Sequence, residues 1–147
     1  TGRFKASSSS VILVLPLTFM NLSGEAVALI LKRYKVDFDN LLVVHDDLDL
    51  GFGRIKINSK GSSAGHRGVK SIIESLKTES FVRLRIGIGR PDEDSEACDF
   101  VLAKFNRSEK SHKPKIISNA LECLEAWEEK GLDKAMNIFN RKEIKGA

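Results

Sequence analysis

Leu41-Leu42-Val43-Val44-His45-Asp46-Asp47-Leu48-Asp49 runs four apolar residues directly into a histidine and three aspartates. An apolar run that short, bounded by polar residues, reads as a strand buried on both faces. The residues after it sit where the strand leaves the core, and in open α/β sheets ligands bind beyond the carboxyl ends of strands. Val11 to Leu15 is a second run of the same kind, ended by Pro16. Arg54-Ile55-Lys56-Ile57 and Phe81 to Ile88 alternate instead, as half-exposed strands do. In the latter, Leu84, Ile86 and Ile88 face one way, Arg83 and Arg85 the other.

Helical spacing fills the intervals. Ser23 starts a helix that carries Ala26, Val27, Ile30, Leu31 and Tyr34 on one side. After a Gly/Ser loop from Asn58 to Gly65, the residues Val69, Ile72, Ile73 and Leu76 form a second apolar stripe. A long helix is expected from Ser108 or Ser111, with Pro114 in its first turn, Ile116, Ile117, Ala120, Leu124 and Trp127 on its apolar face, and Gly131 as its stop. Phe100 to Phe105 reads as a further short strand, Leu132 to Phe139 as a final helix, and Arg141 to Ala147 as a basic tail. Strands alternating with helices predict an α/β fold: a single domain over residues 1–147, its mixed, mostly parallel sheet covered by helices on both faces.

The totals agree. A chain of 147 residues, 41% hydrophobic and 30% charged, is long enough to bury a real core. No apolar run nears the roughly 20 residues that span a bilayer, and no signal segment opens the chain, so no membrane partner is expected. Cys98 and Cys123 lack a CxxC spacing and read as reduced thiols rather than zinc ligands. The expected compartment is the cytoplasm, or a chloroplast or mitochondrion if a transit segment was removed; the expected state is a monomer. Net charge is +4, and its distribution says more: nine basic residues lie between Arg54 and Arg90 against Glu74 and Glu79 alone. Acidic stretches flank that middle at Asp37–Asp49 and Asp92–Glu96. Such a basic middle suits a polyanion, although a solvated lysine surface would look the same.

Three segments place polar residues at strand ends: Thr18-Phe19-Met20-Asn21-Leu22-Ser23-Gly24, His45-Asp46-Asp47-Leu48-Asp49, and Gly61-Ser62-Ser63-Ala64-Gly65-His66-Arg67-Gly68. Each has a structural reading. Asn21 and Ser23 can cap a helix, the aspartates can form a turn, and His66 can hydrogen-bond a helix start. A metal at His45 and its aspartates lacks a second carboxylate cluster to complete the shell, so no metal or other cofactor is expected. Gly61-x-Ser63-x-Gly65 has the form of a serine-hydrolase elbow, but the later histidine it needs is limited to His112, in a lysine-rich turn. Gly51-Phe52-Gly53 and Gly87-Ile88-Gly89 lack the third glycine of a dinucleotide fingerprint.

Taken together, these segments resemble the peptidyl-tRNA hydrolase family of bacteria and organelles. The resemblance is carried by Pro16-Leu17-Thr18-Phe19-Met20-Asn21-Leu22-Ser23-Gly24, Val44-His45-Asp46-Asp47-Leu48-Asp49-Leu50, Gly65-His66-x-Gly68-x-Lys70-Ser71 and Phe81-x-Arg83-Leu84-Arg85-Ile86-Gly87-Ile88-Gly89-Arg90-Pro91, in order and in register from about Val11 to Asn140. It implies hydrolysis of the ester between peptide and tRNA, with peptidyl-tRNA as partner and no metal. It further implies that Met20 and Asn21 bind the peptide end and position water, that Asp46 orients a catalytic histidine, and that His66 and Arg67 line the substrate. Lys56, Lys70, Arg83 and Arg85 suit tRNA phosphates. Two departures stand out. The family's first strand and the loop and helix leading to its catalytic histidine are expected to be missing before Thr1. His45 is a poor substitute, since neighbouring strand residues face opposite sides. And the family's Gly-His-Asn-Gly is here Gly65-His66-Arg67-Gly68; Arg67 cannot accept a hydrogen bond and is left to grip the tRNA end or pair with Asp46. These departures imply an impaired enzyme, with a catalytically silent homologue that binds RNA or a protein partner as the alternative.

Overall fold

A computed structural model describes residues 2–5, 10–90 and 107–141. The strand expected over Phe100–Phe105 and most of the basic tail lie outside the described residues. The chain divides into two compact units, Thr1–Lys35 with Ser63–Thr78, and Val36–Ser62 with Glu79–Ala147.

The second unit is built on a three-stranded sheet of β3 (Leu42–Asp47), β4 (Ile55–Ser59) and β5 (Val82–Gly87), with β5 in the middle. β5 runs parallel to β3 and antiparallel to β4. The register places Val44, Leu84 and Ile57 side by side, and Leu84 and Ile57 are both 0% exposed. Ile55, Val82 and the partly buried Leu42 and Ile86 complete the apolar face. Two helices, α3 (Arg107–Lys130) and α4 (Leu132–Phe139), cover it. The small residues Ala120, Cys123 and Ala126 let α3 approach closely, and α4 adds Ala135 and Phe139. Burying each large aliphatic side chain here contributes about 1.5–3 kcal/mol. Gly131 stops α3 as expected: its φ of +89° is in the region that favours glycine, and its N–H donates to the Trp127 carbonyl at 3.0 Å. Pro114 differs from expectation, since the helix begins at Arg107 and the proline lies inside it. Having no N–H, Pro114 leaves the Lys110 carbonyl without its partner one turn on.

The first unit holds an antiparallel pair, β1 (Gly2–Lys5) with β2 (Ser10–Leu13), and two helices, α1 (Ser23–Tyr34) and α2 (Arg67–Leu76). The expectation of a doubly buried strand from Val11 to Leu15 is corrected: β2 ends at Leu13, and Leu13 and Leu15 are 54% and 81% exposed. A two-stranded ribbon cannot bury both faces of a strand as an interior parallel position would. The expected parallel majority is likewise not found among the described pairings, of which β3–β5 is parallel and β4–β5 and β1–β2 are antiparallel. The sheet is mixed, as expected. α1 and α2 cross at Gly24, whose N–H donates to Ser71 Oγ at 2.9 Å. A Cβ at Gly24 would lie 2.1 Å from the Ser71 carbonyl oxygen, so only glycine allows this approach. Val27, Val69 and Ile72 are buried beside the crossing.

Candidate active site

In the first unit, Met20–Leu22 forms one 3-10 turn ahead of α1. Ser23, buried at the start of α1, closes that turn by donating from Oγ to the Met20 carbonyl at 2.8 Å. Neither the turn nor the helix uses Asn21 as a cap. The Asn21 side chain is exposed, and among the described residues no hydrogen bond engages its amide. The capping role open to Asn21 and Ser23 in the sequence is filled by neither side chain, and the Asn21 amide is left for something else.

The turn packs on the start of α2. His66 is the N-cap of α2, with Nδ1 accepting from the Val69 N–H at 3.1 Å. That bond requires an unprotonated Nδ1, so the ring proton of neutral His66 sits on Nε2. A Cβ at Gly68 would meet Met20 Sδ at 2.6 Å and His66 Cε1 at 3.0 Å, so the thioether and the imidazole edge converge on this glycine. Arg67 opens α2 with its side chain exposed. Lys70 follows one turn later, 69% exposed and 4.0 Å from the equally exposed Glu74. Met20, Asn21, His66, Arg67 and Lys70 thus all belong to this unit.

The second unit holds Asp46, Lys56, Arg83 and Arg85. β3 sends its last residues to opposite faces: Asp46 is paired in register with Ile86, His45 with Arg85. Asp46 is half-buried, and its carbonyl accepts from His45 Nδ1 at 2.8 Å, which ties the His45 ring to its own backbone. The neighbouring Asp47 is 6% exposed and heavily bonded. Arg85 Nε donates to its Oδ2 at 2.7 Å and the Asp49 N–H to its Oδ1 at 2.7 Å. Burial pushes the Asp47 carboxyl up, but the bonds from Arg85 and Asp49 and the charges of Arg85 and His45 outweigh it and hold the group below the ordinary aspartate value. Asp49 pairs with Arg90.

Arg83 differs most from expectation. It shares a sheet face with Arg85 and Lys56, as the alternation implied, yet it is 2% exposed. Its Nη1 donates to the Ser62 carbonyl at 2.8 Å and its Nη2 to the Glu79 carbonyl at 2.9 Å. The guanidinium lies 4.6 Å from the centre of the Phe81 ring. An arginine so enclosed holds loops together and has no surface to offer a phosphate. The Phe81-x-Arg83 spacing was the available signal, because residues two apart on a strand share a face. A residue the sequence reading passed over is Asn140, directly after α4. Its Oδ1 accepts from the Ile57 N–H at 2.8 Å and its Nδ2 donates to the Ile57 carbonyl at 2.9 Å, closing the outer edge of β4. Among the described residues no three His, Cys, Asp or Glu side chains gather to hold a metal ion.

The family model for peptidyl-tRNA hydrolase matches residues 1–147, and so runs through both units. The peptidyl-tRNA hydrolase of a Sulfurihydrogenibium species is 47% identical over 138 residues, 94% of this chain and 73% of that protein. That of Persephonella marina is 46% identical over 134 residues, 91% of this chain and 71% of that one. The crystal structure of peptidyl-tRNA hydrolase from Acinetobacter baumannii superposes with a TM-score of 0.89 at 33% identity, covering 97% of this chain and 72% of that one. Neither the impaired enzyme nor the silent homologue weighed from the sequence finds support in these matches. Sequence and fold agree that the chain belongs to the peptidyl-tRNA hydrolase family.

Proposed function

We propose that this chain hydrolyses the ester joining a peptide to the terminal ribose of tRNA, adding water across it to release a peptide carboxylate and a free ribose hydroxyl. The observation that carries the reading is the disengaged Asn21 amide, presented by a closed 3-10 turn and flanked by Met20. An amide can donate to the peptide carbonyl while accepting from water, so one side chain serves both substrate and nucleophile. Met20, half-exposed on Gly68, offers an apolar surface to the peptide end. His66, which accepts at Nδ1 from the Val69 N–H and brings its ring edge to Gly68 beside Met20, lines the peptide end. Asp46 takes the role that the family resemblance implies, a carboxylate that orients a histidine base by fixing its tautomer and stabilising the charged ring. His45, on the opposite face and tied to the Asp46 carbonyl, is not that base. Lys56, Lys70 and Arg85 face tRNA phosphates. Arg85 does so more weakly, because Asp47 already neutralises part of its charge. Arg83 is left out of this set on account of its burial.

Turnover of peptidyl-tRNA by the chain and its Asn21→Ala and Asp46→Asn variants tests the reading. Each substitution should slow hydrolysis by roughly 10²–10⁴-fold while leaving the fold intact. A native chain no faster than spontaneous ester loss, or an Asn21→Ala variant as fast as the native chain, would overturn it.

A further inference from the structure

We infer that Arg67, assisted by Lys70, is the seat of the phosphate on the terminal nucleotide, the anion nearest the ester that is cut. The inference rests on the hydrolase reading above and names the part of the substrate that this residue takes. The backbone around Arg67 is fixed on both sides. His66 before it is locked as the N-cap of α2, and Gly68 after it is pressed against Met20 Sδ. The guanidinium therefore starts from a set position beside the turn that carries Asn21. Among the described residues no hydrogen bond or carboxylate engages it. The acid on its own helix, Glu74, lies beside Lys70 instead.

The chemistry of the side chain then narrows its ligand. Guanidinium has five donors and no acceptor, so it cannot hold an attacking water through an accepted hydrogen bond or pair with a peptide N–H. It takes oxygens, and an anionic pair of them best. Next to the ester the peptide carries no backbone charge, whereas the ribose that bears the ester also bears a phosphate. The helix end itself is not the seat, because its Val69 N–H is already spent on His66 Nδ1. Lys70, on the same exposed side of α2, adds a second point charge to which Glu74 is only a loose, solvent-screened partner.

Two non-hydrolysable ligands isolate the phosphate: an acylaminoacyl group amide-linked to 3′-amino-3′-deoxyadenosine, with and without a 5′-phosphate. The native chain should bind the phosphorylated ligand about tenfold more tightly. Arg67→Gln should erase that preference, Arg67→Lys should keep part of it, and Lys70→Gln should reduce it less. The readout is the ratio of the two affinities within each variant. An Arg67→Gln variant that still prefers the phosphorylated ligand overturns the assignment, as does a native chain with no preference. Peptidyl-tRNA turnover separates the two readings. A native chain that hydrolyses peptidyl-tRNA yet ignores the phosphate defeats the arginine seat alone. One that neither hydrolyses it nor binds either ligand defeats the hydrolase reading and the seat with it.

Discussion

Asp46 and Asp47 are identical neighbours with opposite uses. The cross-strand register turns Asp47 toward Arg85 and Asp46 toward the face that carries Ile86. Nothing local in a His-Asp-Asp-Leu-Asp string ranks one aspartate above the other; the partner strand does, and it lies far along the chain. Asp47 therefore has a pH signature. Its carboxyl titrates lower in the fold than in the unfolded chain, so the stability it supplies is complete above the ordinary aspartate value near 3.8. That stability drains away as pH falls through the lower folded value. Asp47→Asn should cost about 2 kcal/mol in urea unfolding at pH 7, and the gap to the native chain should close as acid protonates Asp47. A gap that stayed constant down to acid denaturation would mean that shape, not charge, is what Asp47 contributes. Arg83 makes the complementary point. Alternation assigned its face correctly but could not tell a wet face from a covered one. Arg83→Gln should destabilise the chain by about 1–3 kcal/mol, because it removes two guanidinium hydrogen bonds made by a side chain that is itself buried.

At the level of elements, the helices were legible because their ends are chemically marked. Ser23 opens α1, Gly131 separates α3 from α4, and the α4 span of Leu132–Phe139 is the one its apolar spacing implied. Proline misled at α3, where the apolar stripe from Ile116 onward holds a helix through Pro114 despite one lost bond. β1 was invisible, since Gly2–Lys5 is too short and too mixed to carry a strand pattern. Two glycines at helix contacts separate fold from site. At Gly24 a methyl group would strike the backbone of Ser71, which cannot give way, so Gly24→Ala should cost about 3 kcal/mol and part α1 from α2. At Gly68 the same methyl meets the flexible end of Met20, which can swing aside, and the edge of the His66 ring at 3.0 Å, which need give only a few tenths of an ångström. Gly68→Ala should therefore change the thermal midpoint little and raise KM for peptidyl-tRNA several-fold, because Met20 is displaced from the peptide end. Equal losses of stability in the two variants would refute the distinction.

For the molecule as a whole, a net charge of +4 sets a weak general attraction for nucleic acid. What distinguishes specific phosphate contacts is their stoichiometry, which salt titration counts. Each phosphate neutralised releases condensed counterions, so log affinity falls with log salt by roughly 0.7 to 0.9 per contact. With Arg67, Lys56 and Lys70 engaged, tRNA binding should show a slope near −2 to −3. Lys56→Gln should shallow that slope by about one contact, because Lys56, opposite Arg85 on the sheet face, keeps part of its side chain exposed. Arg83→Gln should leave the slope unchanged even as it lowers stability, since a cation 2% exposed has no counterions to release. Sequence alone weights these cations equally, and the expected difference between Lys56 and Arg83 comes entirely from where folding puts them. Should Arg83→Gln shallow the slope as much as Lys56→Gln does in a chain shown by circular dichroism to remain folded, the buried arginine would have to emerge on binding, and the division drawn here between structural and phosphate-facing cations would fail.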